Sequence, residues 1–259
     1  MTNSSDQEPV AITPDKIGDL FFNERGEVIN RDLELFIDPI NGSTWREWGT
    51  QYLPVAVYRE FGMVEVEGSD EWLNVVEHNV FVAAVALTIG EKLVAEGVSV
   101  DLEKLVKSAI VHDASKRLDI ERKLSRTEEV TDKTFETVVK SFGYSDEEIT
   151  AAKNTGRLPD RYIDDPVVRL RAIADHSIEA NIVGYADART RNVHLLTLEN
   201  AMNDSITSKP KDEEFFTRHW RPYYDAVERY FQVLAPGFDP EQITDWSVLE
   251  TVKTASTTQ

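Results

Sequence analysis

No cysteine occurs among the 259 residues, so disulfides, thiolate-bound metals and cysteine nucleophiles are all excluded. Positive charge is in short supply as well. Lys and Arg number 28 against 47 Asp and Glu, a formal net charge of −19. An extended nucleic-acid groove needs a basic face to neutralise phosphates, and this balance argues against one. A small phosphorylated substrate stays admissible, because a metal ion and a few local cations can dominate the field inside a pocket. The chain also lacks a glycine-rich phosphate loop, a Gly-x-Ser-x-Gly elbow and internal repeats. Met1 to Pro9 is polar and acidic, without the basic-then-apolar order of a secretory signal. The most apolar stretch, Val75 to Leu87, is interrupted by Glu77, His78 and Asn79, so no membrane span or membrane partner is expected. Together these absences predict a soluble, cytoplasmic protein.

What is present centres on residues 71–116. Leu102, Leu105, Val106, Ala109 and Ile110 recur at the spacing of a buried helical stripe. Asp101 precedes them as a cap for the free N–H groups. One further turn reaches the adjacent pair His112-Asp113, which should emerge beside the buried face at the helix end. In the preceding run, expected to be helical over 71–95, His78 shares a face with Val82, Val85, Ile89 and Leu93. A third group, Asp187, follows Tyr185-Ala186 in another apolar, helical context. A lone histidine on an apolar face is usually a hydrogen-bonded core residue. Three such groups, with an adjacent His-Asp pair among them, instead suit a divalent first-row metal.

His78, then His112-Asp113, then Asp187 resembles the signature of the HD superfamily of metal-dependent phosphohydrolases, over roughly residues 70–200. The string His112-Asp113-Ala114-Ser115-Lys116 is its sharpest part. The resemblance implies an all-α fold, an HD-domain helical bundle, with one divalent metal ion (Mn, Fe, Co, Ni, Zn or Mg) held by His78, His112, Asp113 and Asp187. It implies metal-assisted hydrolysis of a phosphate ester of a small metabolite or nucleotide, with Asp113 and Lys116 in catalytic roles. Lys116, one turn past a ligand, can reach a phosphate oxygen as a point charge. Arg189 and Arg191, which follow Asp187, are further candidates for binding the substrate phosphate. Asp119 or Glu121 could supply the proton to the leaving alcohol. Some nucleotidase-like members carry a glutamate three residues after the His-Asp pair, where this chain has Lys116. Two other readings stay open: an HD-type iron oxygenase, and a non-catalytic metal-binding regulatory domain.

Around this centre the chain divides into a tail at 1–12, an irregular aromatic-rich extension at 13–69, the helical domain at 70–236, and a C-terminal segment and tail at 237–259. Trp45, Trp48, Tyr52 and Tyr58 in the extension are expected to pack on the core. Ser145 to Glu148 reads as a capping box, and 205–212 reads as a loop. Asp165-Pro166 opens what reads as one long helix through Arg189. On that helix His176 and Asp187 lie eleven residues apart, a rise of roughly 16 Å. Two metals in a shared site sit only ~3.5–4 Å apart, which favours a one-metal site without His176. Tyr223, Tyr224, Val227, Tyr230, Phe231 and Leu234 form an aromatic stripe on the last strong helix. Its expected use is core packing, with a homodimer face as the sharper alternative.

Overall fold

Helix dominates the described residues, 44–50, 52–65, 69–125, 134–155 and 159–257 of a computed structural model. The expected tail at 1–12 and most of the 13–69 extension lie outside them. What is described of the extension forms two short helices, α1 (Thr44–Thr50) and α2 (Val55–Glu60). Trp48, Val57 and Tyr58 of these helices are buried, so the expected packing role of Trp48 and Tyr58 is met.

After a 3-10 turn at Ser69–Trp72 comes α3 (Leu73–Ala95), the helix around which the fold is built. Valine, alanine and leucine cover all its faces, and a helix apolar all round belongs in an interior. Its 23 residues are long and apolar enough to cross a membrane, contrary to the expectation from sequence, but 89% of its most apolar window is buried inside the protein. It ends in a Schellman motif. Gly97 takes φ +87°, its N–H donates to Val94, and the Val98 N–H donates to Leu93 at 3.0 Å.

Asp101 then caps α4 (Leu102–Val111) by accepting the Lys104 N–H at 3.0 Å. Leu105, Val106, Ala109 and Ile110 bury the expected stripe against α3. α5 (Lys116–Ser125) and α6 (Phe135–Ser141) follow. The reciprocal box of Ser145 and Glu148 opens α7 (Asp146–Lys153).

The expected single helix from Pro166 to Arg189 is two helices, α8 (Pro166–Asp175) and α9 (Ile178–Arg189). His176 and Ser177 are extended between them, at ψ 155° and 152°. The break follows from capping chemistry. The Ser177 hydroxyl accepts the Ala180 N–H at 3.1 Å, so the serine starts a helix and does not continue one.

A two-residue ladder pairs β1 (Thr190–Arg191) with β2 (His194–Leu195), antiparallel through Asn192 at φ +53°. α10 (Leu198–Ser208) and a 3-10 turn at Pro210–Asp212 occupy most of the 205–212 stretch expected to be a loop. A short turn at Glu213–Phe215 passes through a π-helical turn at Phe216–Trp220 into α11 (Arg221–Leu234). Of the aromatic stripe of α11, Tyr223, Tyr224, Val227 and Phe231 are buried in the core, whereas Leu234 is exposed.

The segment expected to be a tail forms α12 (Asp245–Thr257), which buries Val248, Leu249 and Val252 and packs on α1 and α3. Both chain ends of the described fold thus close on the same central helix.

Gly184, in the middle of α9, serves close approach and leaves the helix unbroken. A Cβ there would stand 2.8 Å from the carbonyl oxygen of Asn154. That oxygen is backbone and cannot swing aside. Gly184→Ala should therefore destabilise the chain by about 1–3 kcal/mol of overpacking, offset by the ~1 kcal/mol that alanine gains in a helix. Urea unfolding should show a net loss; a midpoint equal to or above the parent's would mean that the two helices can part without cost.

Candidate metal centre

Each candidate ligand sits where its local sequence forces it inward. His78 occupies the middle of α3. His112 caps the C-terminus of α4, held down by buried Ile110 and Val111, and its own side chain is fully buried. Asp113 lies in the following turn, and Asp187 on the last turns of α9. The fold brings all four together. Ligand atoms of His78, His112 and Asp113 lie within 4.8 Å of one another and could hold a metal ion. Asp187 lies closer still to both imidazoles. Its Oδ1 is 3.1 Å from His78 Nε2 and 3.3 Å from His112 Nε2, and we count it as the fourth member on those distances.

The hydrogen bonds behind the histidines decide what they present. His78 Nδ1 lies 2.9 Å from the carbonyl of Asn192, and His112 Nδ1 lies 2.8 Å from the carbonyl of Ala109. A carbonyl only accepts, so both Nδ1 atoms carry the hydrogen and donate it. Each ring then turns its Nε2 toward Asp187, and the His78 Nε2 lies within hydrogen-bond distance of that carboxylate. A carboxylate facing two ring nitrogens favours a cation among them, a proton or a metal ion, and a backbone-anchored Nδ1–H is the arrangement that orients a histidine ligand. His112 Nε2 illustrates the point: buried and 3.3 Å from Asp187, it makes no aligned hydrogen bond there.

The electrostatics agree. Burial pushes the Asp187 carboxyl up, but its contacts with His112 and His78 outweigh that and hold it well below the usual carboxylate range. Burial likewise acts to lower His112, yet Asp187 and Asp113 carry it above the ordinary imidazole value. Asp113 is raised by burial and lowered more by His112 and Lys116, for a net downward shift. The pocket favours positive charge at its centre.

A second layer fixes the spacing of the two histidine-bearing helices. Asn79, next to His78, donates from Nδ2 to Tyr58 Oη at 2.6 Å. The Tyr58 hydroxyl in turn donates to the carbonyl of Ile110, two residues before His112. Burial pushes the Tyr58 hydroxyl pKa well up, so it stays a donor.

The cluster forms the floor of a cleft of about 680 Å³ that His78, Asp113 and Asp187 reach and His112 backs from behind. Lys116 and Arg191 stand on its walls. Lys116 Nζ contacts Asp113 Oδ2 at 2.5 Å. Arg191 is held by Asp204 at 3.1 Å and by the carbonyls of Thr190 and Ala201, each at 3.0 Å.

No protein-family model, curated protein or solved structure matches this chain. The chemistry of the site rests on its own geometry.

Several expected neighbours are elsewhere. Arg189 does not reach the cleft. It is buried, and its guanidinium donates to the carbonyls of Leu196, Pro240 and Ile243, pinning the segment that leads into α12. Asp119 accepts the Ser115 hydroxyl at 2.8 Å and does not line the cleft, which removes it as the acid. The Glu121 side chain lies outside the described residues. His176 pairs with Asp160 at 2.7 Å. It is absent from the cleft lining, although the continuous helix used to exclude it does not exist. Arg117, next to Lys116, donates to the carbonyl of Gly62. Asn192 and Asn74 were not foreseen. Asn192 carried one usable signal, since asparagine tolerates the left-handed conformation that the turn requires.

Proposed function

We propose that the chain is a metal-dependent phosphoric ester hydrolase acting on a small phosphorylated metabolite, built on an HD-type helical domain. The observation that carries this reading is the pair of backbone-locked histidines, whose Nε2 atoms converge with Asp187 on the floor of a cleft walled by Lys116 and Arg191. His78, His112, Asp113 and Asp187 would hold one divalent ion. When bound, that ion would supply Lewis acidity toward a phosphoryl oxygen and toward water.

The remaining roles belong to the chain's own groups. Asp113 and Asp187 bring two negative charges that balance a dication, and both stay ionised at neutral pH because their pKa values are lowered. Lys116 is half-buried and spends one N–H on Asp113, which leaves donors for the oxygens of a phosphoryl group in the cleft. Arg191 is braced by Asp204 and backbone carbonyls, so it adds positive potential with little freedom to lose on binding.

The test is phosphate release from a panel of small phosphorylated metabolites by the metal-loaded chain, with Lys116→Ala beside it. Loss of one charge-stabilising donor should lower kcat on the order of 10²-fold while elemental analysis finds the metal retained. Lys153→Ala is the control, since that lysine pairs with Glu136 on the surface. No release by the parent from any ester would remove the hydrolase reading, and equal turnover by Lys116→Ala would remove Lys116 from the phosphate site.

A further inference from the structure

Beside His78 the cleft carries two carboxamides that the metal centre does not use. Asn74 lies one helical turn before His78 on α3 and lines the cleft. Its Oδ1 is buried and has no hydrogen-bond partner. Buried acceptors in folded proteins are almost always paired, so an unpaired one on a cleft wall marks a place where a ligand or water donates. Asn192 anchors His78 Nδ1 through its backbone carbonyl and is itself among the residues that line the same cleft. Asn192 takes φ +53°, the left-handed conformation that the turn between β1 and β2 requires.

A carboxamide offers an acceptor and a donor side by side, and a hydroxyl is both donor and acceptor. Two such groups flanking the metal-binding floor match an organic part with hydroxyls on more than one carbon near the phosphate ester. They mismatch an aryl or alkyl alcohol, which would leave Asn74 Oδ1 unpaired after the cleft loses its water.

We infer that the substrate is a polyol phosphate of the sugar-phosphate type, with Asn74 and Asn192 as the residues that select for its hydroxyls. This deepens the proposed hydrolase and rests on phosphate binding at that same floor. The selectivity comes from the leaving alcohol, so it should be visible in binding as well as in turnover.

The experiment is calorimetric titration of the full chain, metal-free and Mn²⁺-loaded, with glucose 6-phosphate and with phenyl phosphate. The parent should prefer the sugar phosphate. Asn74→Ala should cut that preference roughly tenfold, the worth of about one hydrogen bond. Asn192→Gly, which permits the positive φ and keeps the carbonyl on His78, should cut it by a smaller factor. Circular dichroism confirms that both variants fold. An unchanged preference in both variants would show that the carboxamides hold water only and would overturn the inference, as would a parent that prefers phenyl phosphate or binds neither ester. Selective binding without phosphate release would keep the polyol pocket and remove the hydrolase. Release from both esters at equal efficiency would do the reverse.

Discussion

His112→Ala should leave a folded, helical chain that no longer retains a divalent metal and hydrolyses nothing. Removing an outer-shell partner of a metal site already costs roughly 10–100-fold in affinity, and His112 is proposed as a direct ligand through an Nε2 that is buried without a hydrogen-bond partner. The fold should survive because the core is carried by α3 and the stripe of α4, and His112 stands at the end of that stripe. Asp187→Asn is the companion. It keeps the shape and removes the charge on which both imidazoles converge. Elemental analysis after gel filtration, read beside far-ultraviolet circular dichroism, checks both variants. Full metal occupancy in either would reject the ligand set.

Arg46→Ala should produce the largest loss of stability. Arg46 donates from Nε to Glu77 at 2.8 Å, and Glu77 is buried at 2% exposure one residue before His78. Breaking a buried ion pair from one side costs about 3–5 kcal/mol, because the other charge is left without compensation. The pH dependence is a second check. Burial pushes the Glu77 carboxyl up to about 7, with Arg46 opposing that rise. A carboxyl raised in the folded state keeps a proton that the unfolded chain has released, so its contribution to stability falls as pH rises from about 4.5 through about 7. Removing Arg46 lifts the folded pKa further. The penalty should thus be greatest near pH 8 and shrink near pH 5, where Glu77 is neutral. Urea unfolding at both pH values measures it, and a penalty independent of pH would mean that Arg46 acts by packing on Trp45 instead.

The helices that carry the candidate ligands were legible because their signals are local. The stripe from Leu102 to Ile110 and the Asp101 cap fix α4 without reference to the rest of the chain, and so fix where His112 and Asp113 emerge. α12 was equally legible and was missed, since Val248, Leu249 and Val252 fall at helical spacing behind a polar-looking surface. The break at His176-Ser177 turned on a choice between two local patterns. Apolar periodicity ran through it, and serine capping won.

What the sequence hid is long-range pairing. Arginine beside a metal motif looks like a phosphate ligand, yet Arg189 found three carbonyls 7 to 54 positions along the chain. Asn192 lies 114 positions from the histidine it orients, and Tyr58 lies 52 from the carbonyl it clamps. No local window of residues contains the contacts that span 50 positions or more.

The central claim is that two imidazoles and the neighbouring carboxylates share one metal ion. X-ray absorption at the zinc edge of the zinc-loaded chain tests it most directly, with stoichiometry from elemental analysis. The account predicts one zinc per chain and a scattering pattern with two imidazole rings alongside oxygen ligands. A zinc that sees no imidazole or one, or a chain that takes up no zinc at saturation, would contradict it.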